Sequence, residues 1–257
     1  MPHGQSVFSY VFGSSYARIL ELAGIWFGGA DHKTYYMHET VDVQHVVGSI
    51  VVIALLSTFA FLTYGKIKDA SKAIVPDGTL TTRNAIEVLV GGIYSMMSDI
   101  MGPKAAKYFL PLIGTCAFFI LASNAIGLIP GFGSPTGKLD TTLACALIIF
   151  FATHIFGVKE HGLAYFKHFL GPVWWLAPLM LPIELISHFA RPASLSIRLM
   201  ANMSADHLVV GTFLALAPWF VPVPMMLLGS IVVVVQTLVF CLLSTVYISM
   251  AIAHEDH

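Results

Sequence analysis

Charge is what this sequence has least of. Only 11% of its 257 residues are Asp, Glu, Lys or Arg, while 57% are hydrophobic. Across residues 208–252 not one of those four charged types occurs. A soluble domain cannot clothe its surface with so little charge, so a soluble globular fold is excluded and a polytopic membrane protein is indicated. The mean hydropathy of +0.81 agrees. With a formal net charge of −1 and a pI near 6.8 there is no basic excess to attract nucleic acid. Cysteine is scarce as well. Cys116, Cys145 and Cys241 lie in apolar runs without a metal-type spacing, which predicts buried free thiols. There is no Gly-x-x-x-x-Gly-Lys-Ser/Thr phosphate loop and no nucleophile motif. Nucleotide chemistry on this chain is therefore excluded, and no cofactor or metal is expected. The N-terminus also lacks a basic stretch followed by a short apolar core, so no cleavable signal peptide is expected.

What is present are long apolar runs. Residues 46–64, 108–130 and 141–158 each approach the ~20 residues that cross a bilayer. Residues 169–190 are apolar but interrupted by Pro172, Pro178, Pro182 and Glu184. The uncharged stretch at 208–252 is too long for one perpendicular crossing, and Pro218, Pro222 and Pro224 near its front predict a turn. The expected fold is all-α, with about five membrane helices, the last two near 173–217 and 225–252. Both exceed the ~30 Å hydrocarbon thickness at ~1.5 Å per residue, so they should form a strongly tilted hairpin. Between the first two spans, Ile86, Leu89, Val90, Ile93, Met97 and Ile100 recur on one helical face, predicting an amphipathic helix over 81–100 at the membrane surface. The domain reading is an exterior segment, 1–45, and a single membrane domain, 46–257.

Basic residues orient the chain. Loop 65–107 carries Lys66, Lys68, Lys72, Arg83, Lys104 and Lys107, and loop 158–167 carries Lys159 and Lys167. Against these, the opposite side holds Arg18, Lys33 and Lys138. Five crossings then place the N-terminus outside and the C-terminus in the cytoplasm.

The exception to the apolar rule is residues 184–207, where Glu184, Arg191, Arg198, Asp206 and His207 enter a membrane segment. A guanidinium stays charged at any workable pH, and holding it at bilayer depth costs several kcal/mol. On a helical wheel with Arg198 at zero, Ser187 and Ala205 fall at about −20°, Arg191 at about +20°, Ser194 at about −40°, and Glu184 and Asn202 at about +40°. Asp206 falls at about +80° and His207 at about 180°, on the far side. Small residues on such a face permit close approach of another helix. By rise alone, Glu184 lies roughly 21 Å from Arg198 toward the cytoplasm and His207 roughly 13 Å toward the exterior. This pattern describes two polar paths divided by a fixed positive charge. Structural pairs remain open: Glu184 with Arg191, or Arg198 with Asp206, could be buried salt bridges, although such pairs stabilise weakly for their desolvation cost.

The residues from Ser194 to Met203, Ser-Leu-Ser-Ile-Arg-Leu-Met-Ala-Asn-Met, resemble the signature of subunit a, the membrane stator and ion-channel subunit of bacterial-type rotary ATP synthases. Ser123-Asn-Ala-Ile-Gly-Leu-Ile-Pro130 is similar to the family's Asn-x-x-Gly-Leu-x-Pro element, and Thr136-Gly-Lys-Leu-Asp-Thr-Thr-Leu143 to the polar turn after it. Leu181-Pro-Ile-Glu184, Gln236 and Tyr247-Ile-Ser-Met250 extend the likeness to the last two helices. The resemblance implies that Arg198 faces a ring of c subunits, attracts their deprotonated carboxylate and blocks leakage between two half-channels. It implies that Glu184 and Ser187 serve the cytoplasmic half-channel, that Asn202 lies beside the arginine, and that His207 and Gln236 line the exterior path. Ser194 belongs to the same stripe. The implied partners are the c-ring, peripheral-stalk b subunits, the remaining ATP synthase complex and membrane lipid, in a bacterial plasma (inner) membrane. The subunit itself is not catalytic; ATP chemistry sits elsewhere in the complex.

This chain departs from that pattern in one respect. Many bacterial members carry glycine-glutamate where Asp206-His207 stands here, and a histidine on the last helix where Gly229 stands. Two other readings were weighed. A stand-alone secondary transporter or ion channel would also hold intramembrane charges, but no internal repeat is visible and the charges sit on one element. A membrane haem protein would draw on His154, His188 and His207, no two of which share a recurrent spacing on one helix.

Overall fold

The computed structural model describes residues 44–67, 82–129, 132–162, 165, 177–216 and 222–252. Among them there is no strand. Helix α1 spans Gln44–Ile67 and α2 Thr82–Gly127. A short 3-10 turn at Pro135–Gly137 leads into α3, Leu139–His161. Helix α4 is Ala177–Leu216 and α5 is Pro222–Ile252. Helices are the outcome demanded of a chain that crosses lipid, because there every backbone N–H and C=O must be satisfied within the segment. Helices α1, α2, α3 and α5 are long and apolar enough to span a membrane. Helix α4, which carries Glu184, Arg191, Arg198 and Asp206, supplies the fifth long element. The protein is an all-α, multi-pass membrane protein, as its composition predicts.

Element boundaries differ from expectation in three places. The amphipathic helix at 81–100 is not separate from the second span. It runs on into it, broken only at Gly102, where φ is 79° and ψ is 160°. That backbone conformation is essentially restricted to glycine, and Pro103 behind it lacks an N–H to continue the ladder. The amphipathic face does not simply rest on lipid: Ile93 and Met97 are buried in the main core, and the Ile100 carbonyl accepts a hydrogen bond from the Ser249 hydroxyl at 3.4 Å. Pro222 and Pro224 lie in the first turn of α5 rather than in the connection, where an N–H would have no intrahelical partner anyway. Pro182 and Pro192 likewise lie inside α4 without ending it. The segments at 1–43, 68–81, 217–221 and 253–257, including the exterior N-terminal segment and Pro218, fall outside the described residues.

Inside the bundle, α2 packs on α5, α3 packs on α4 and α5, and α1 packs on α2. The core is filled by Met97, Ile113, Ile120, Ile149, Leu199, Phe240 and Ile248, all essentially without exposed surface. In lipid this close fit acts through dispersion contacts, since the surrounding chains are as apolar as leucine. Cys116, Cys145 and Cys241 are free and buried, as expected. Helices α4 and α5 run antiparallel. As α4 advances from Arg191 through Asn202 to Asp206, its partners on α5 recede from Tyr247 through Gln236 to Gly229. At 40 and 31 residues they extend about 60 and 46 Å at ~1.5 Å per residue. Neither can stand upright within ~30 Å of hydrocarbon.

The hinge offers a test. Gly102→Ala should lower the thermal-denaturation midpoint of the detergent-solubilised protein, by about 1–3 kcal/mol of strain in a glycine-only region. Gly92→Ala, on an exposed helical position with open space around it, should be neutral or stabilising by up to about 1 kcal/mol. Equal responses from the two variants would remove the hinge from this account.

Candidate functional site

Helix α4 sorts its side chains by face. Pro192, Leu195, Ser196, Leu199 and Met203 are buried, whereas Ser187, Ser194, Arg198, Asn202 and Ala205 are exposed. The polar stripe predicted from the wheel is thus a face that this chain leaves uncovered. Arg198 makes no ion pair and no hydrogen bond among the described residues. Ser194 turns its hydroxyl back on the Arg191 carbonyl at 3.0 Å.

One turn beyond Arg198, the Asn202 amide donates to Oε1 of buried Gln236 at 2.8 Å. An amide–amide bond between membrane helices is worth about 1–2 kcal/mol, and it fixes α5 beside the arginine. Asn202, Asp206 and Gln236 share an open cleft of about 480 Å³ on this side. Asp206 reaches α5 opposite Gly229. A Cβ at position 229 would meet the two carboxylate oxygens of Asp206 at 2.8 and 2.9 Å and a Leu128 methyl at 2.9 Å. Glycine at 229 and aspartate at 206 therefore occupy one shared volume.

His207 looks elsewhere, as its opposite wheel position requires. Its Nε2 accepts the Ser134 backbone N–H at 3.3 Å, so a neutral ring carries its proton on Nδ1. A Cβ on Gly127 would come within 3.0 Å of that same Nε2 and within 2.6 Å of Ser134 Cβ. Ser134 is held in turn. Its hydroxyl lies 3.1 Å from the Ser123 carbonyl and 2.7 Å from the Thr136 hydroxyl, and Thr136 donates to the buried amide oxygen of Asn124. Ser204 ties α4 to this turn through the Gly137 carbonyl at 3.0 Å. Asp206 and His207, neighbours in sequence, thus face two different walls.

At the opposite end of α4, neither salt bridge left open by the sequence has formed. Glu184 faces the His188 Nε2 at 3.3 Å, one helical turn along, and the Arg191 guanidinium lies over the Tyr247 ring, 5.4 Å from its centre. His154 of α3 brings its ring to 5.3 Å from that of His188 and donates through Nδ1 to the Phe150 carbonyl at 2.8 Å. Tyr165 stands edge-on to His154 at 6.0 Å. Sequence reasoning singled out neither histidine as a site residue. His188 was detectable as an i, i+4 partner of Glu184; its meeting with His154 crosses two helices and leaves no spacing to read. Among the described residues no group of three His, Cys, Asp or Glu is placed to hold a metal ion.

With that geometry in view, likeness to known proteins becomes informative. The family described as ATP synthase A chain matches residues 46–249. The chain belongs to that family. ATP synthase subunit a of Sorangium cellulosum is 46% identical over 228 residues, 88% of this chain and 89% of the relative. That of Geobacter sulfurreducens is 46% identical over 233 residues, covering 91% and 92%. That of Geotalea uraniireducens is 44% identical over 251 residues, covering 98% of this chain and all of the relative. The match begins at the first span and ends on α5, so it includes every residue of the stripe and both walls facing it.

Residues in direct contact show coupling energies of about 0.5–3 kcal/mol in double-mutant cycles. For the Asp206–Gly229 contact, Gly229→Ala alone should destabilise the protein, because the new methyl has to displace the carboxylate or Leu128. Asp206→Gly in the same chain should recover most of that loss. Additive effects on the denaturation midpoint would show that the two positions do not share space.

Proposed function

We propose that this chain is the ion-translocating stator subunit of a rotary ATP synthase. It forms two offset half-channels for protons against a ring of c subunits, separated by Arg198, and so couples ion flow to rotation and ATP synthesis. The observation that carries this reading is the exposed guanidinium, unpaired among the described residues, on a face of small and polar residues. A cation at membrane depth with no partner among those residues calls for an anionic one, and a c-subunit carboxylate arriving by rotation meets that need. Between arrivals the fixed positive charge repels protons that would otherwise cross directly.

On this reading Glu184 and Ser187 carry protons to or from the cytoplasm, and Ser194 leaves the surface smooth for a passing helix. Asn202, locked to Gln236, keeps α5 in register beside the arginine. Asp206 and His207 serve the exterior path, where histidine's ordinary pKa near 6.5 suits exchange near neutral pH. The driving force is about 2.3 kcal/mol per charge for each 100 mV. Peripheral-stalk b subunits and lipid cover other surfaces, and ATP chemistry occurs elsewhere in the complex. The chain resides in a bacterial plasma (inner) membrane, with residues 1–45 outside, 46–257 as one membrane domain and the C-terminus in the cytoplasm.

Asp206 and His207 are close enough in sequence to titrate as a coupled unit. Asp206→Gly combined with His207→Glu, leaving Gly229 in place, should impair proton conduction in membrane vesicles; conduction at the wild-type rate would mean that no local pair is required. The decisive residue is Arg198. Arg198→Ala should assemble yet abolish proton-driven ATP synthesis and open a passive proton leak. Arg198→Lys should rescue poorly, because an ammonium can lose its proton when desolvated and a guanidinium cannot. Arg191→Ala should keep much of the activity. Full synthesis by Arg198→Ala would end this reading.

A further inference from the structure

The cytoplasmic half of α4 holds an acid–base group that the ion path above does not use. His188 has Glu184 at 3.3 Å on one side and the His154 ring at 5.3 Å on another. Beside it lies a cavity of about 80 Å³ lined by Glu184, His188, Arg191, Tyr165, Tyr247 and Thr153. A water needs only about 10–15 Å³ of such space and two to four polar partners, so the cavity can hold several waters, and its walls offer the partners. A smaller void of about 20 Å³, lined by both His154 and His188, shares Thr153, Arg191 and Tyr247 with it. A carboxylate, an imidazole and a wet cavity in contact are the parts of a proton relay.

We propose that His188 is the proton-exchanging group on the membrane-centre side of Glu184, with the cavity between α3, α4 and α5 as its water reservoir. The inference rests on the ion-path reading above. In the synthesis direction, the neutral imidazole takes a proton from cavity water, and the imidazolium then gives its Nε2 proton to the Glu184 carboxylate, which restores the neutral ring. Protonated Glu184, one turn nearer the cytoplasm, releases that proton to water there and returns to the carboxylate. In the pumping direction the steps reverse. Among the described residues, the titratable and charged groups around the ring each have a part. Glu184 attracts the imidazolium and so favours the first transfer. Arg191, fixed in charge over Tyr247, repels it and hastens the second. His154 keeps its Nδ1 proton on the Phe150 carbonyl and offers only Nε2 as an acceptor. Tyr165 and Tyr247 supply hydroxyls to the water-bearing space.

A merely structural histidine would hold Glu184 by donating one hydrogen bond, which glutamine also does; a relay must in addition accept a proton, which glutamine cannot. The test uses the whole ATP synthase in vesicles. In His188→Gln, proton-driven synthesis and ATP-driven pumping should both slow about tenfold, less than the roughly 10²–10⁴-fold usual for loss of an acid–base group because cavity water substitutes in part. In His188→Ala, imidazole supplied on the cytoplasmic side, at a concentration that leaves the wild-type rate unchanged, should restore most of the lost rate. Wild-type rates in His188→Gln would overturn the relay, and so would a slow His188→Ala that imidazole does not recover. Arg198→Ala in the same vesicles separates the two claims. If it still makes ATP, the ion-path reading itself fails; if it does not and His188→Gln is unimpaired, only the relay fails.

Discussion

A guanidinium that cannot discharge and has no partner among the described residues sets the terms for the rest of this fold. Arg198 is tolerable at membrane depth only if the helix bearing it is held firmly on its other faces and left open on one. The side chains of α4 obey that division. Leu195, Leu199 and Met203 are sealed against neighbouring helices while Ser194, Arg198, Asn202 and Ala205 stay at the surface. The nearest interhelical polar bond, Asn202 to Gln236, sits beside the arginine but does not neutralise it. An amide is a suitable choice there: it satisfies its own polarity locally and adds no charge beside the guanidinium.

The end of α4 around His207 shows how sequence motifs become walls. Asn124 and Gly127, which belong to one recognisable element, act together in the structure. Asn124 accepts from Thr136 and thereby anchors the turn at Pro135–Gly137, and Gly127 leaves room for Met203, Ser134 and His207. The anchored turn then presents the Ser134 N–H to His207 and the Gly137 carbonyl to Ser204. A buried polar group left unmatched costs about 1–3 kcal/mol. The linked hydroxyls and amide avoid that cost and also fix the imidazole. Uncharged residues of the turn thus decide which ring nitrogen carries the proton of neutral His207.

How much of this could be read from the chain alone follows from which forces act locally. Four apolar runs and the stripe on α4 were legible because periodicity and hydropathy record them directly, and the exposed face of Arg198 agrees with the wheel. The hinge at Gly102 was not, because an amphipathic run followed by an apolar one looks the same whether the join is a loop or a single glycine in an unusual backbone conformation. Pro182 inside α4 gave a misleading signal because, in lipid, a helix with support from its neighbours survives a missing hydrogen bond; Pro222 did so because at the head of α5 no hydrogen bond is lost. Contacts between helices, such as His154 with His188 or Asp206 with Gly229, leave no trace in either helix taken separately.

The Asp206–Gly229 contact also bears on how such a site can change its residues without losing its chemistry. Two side chains cannot both fill the gap between α4 and α5, since a methyl at 229 would already lie within 3 Å of the carboxylate. An ionisable group can therefore reach this volume from either helix, but not from both. This chain has aspartate on the long helix and glycine on the last, which leaves one protonatable group at one place between two antiparallel helices. Packing then forces the other position to be small, whichever helix provides the group.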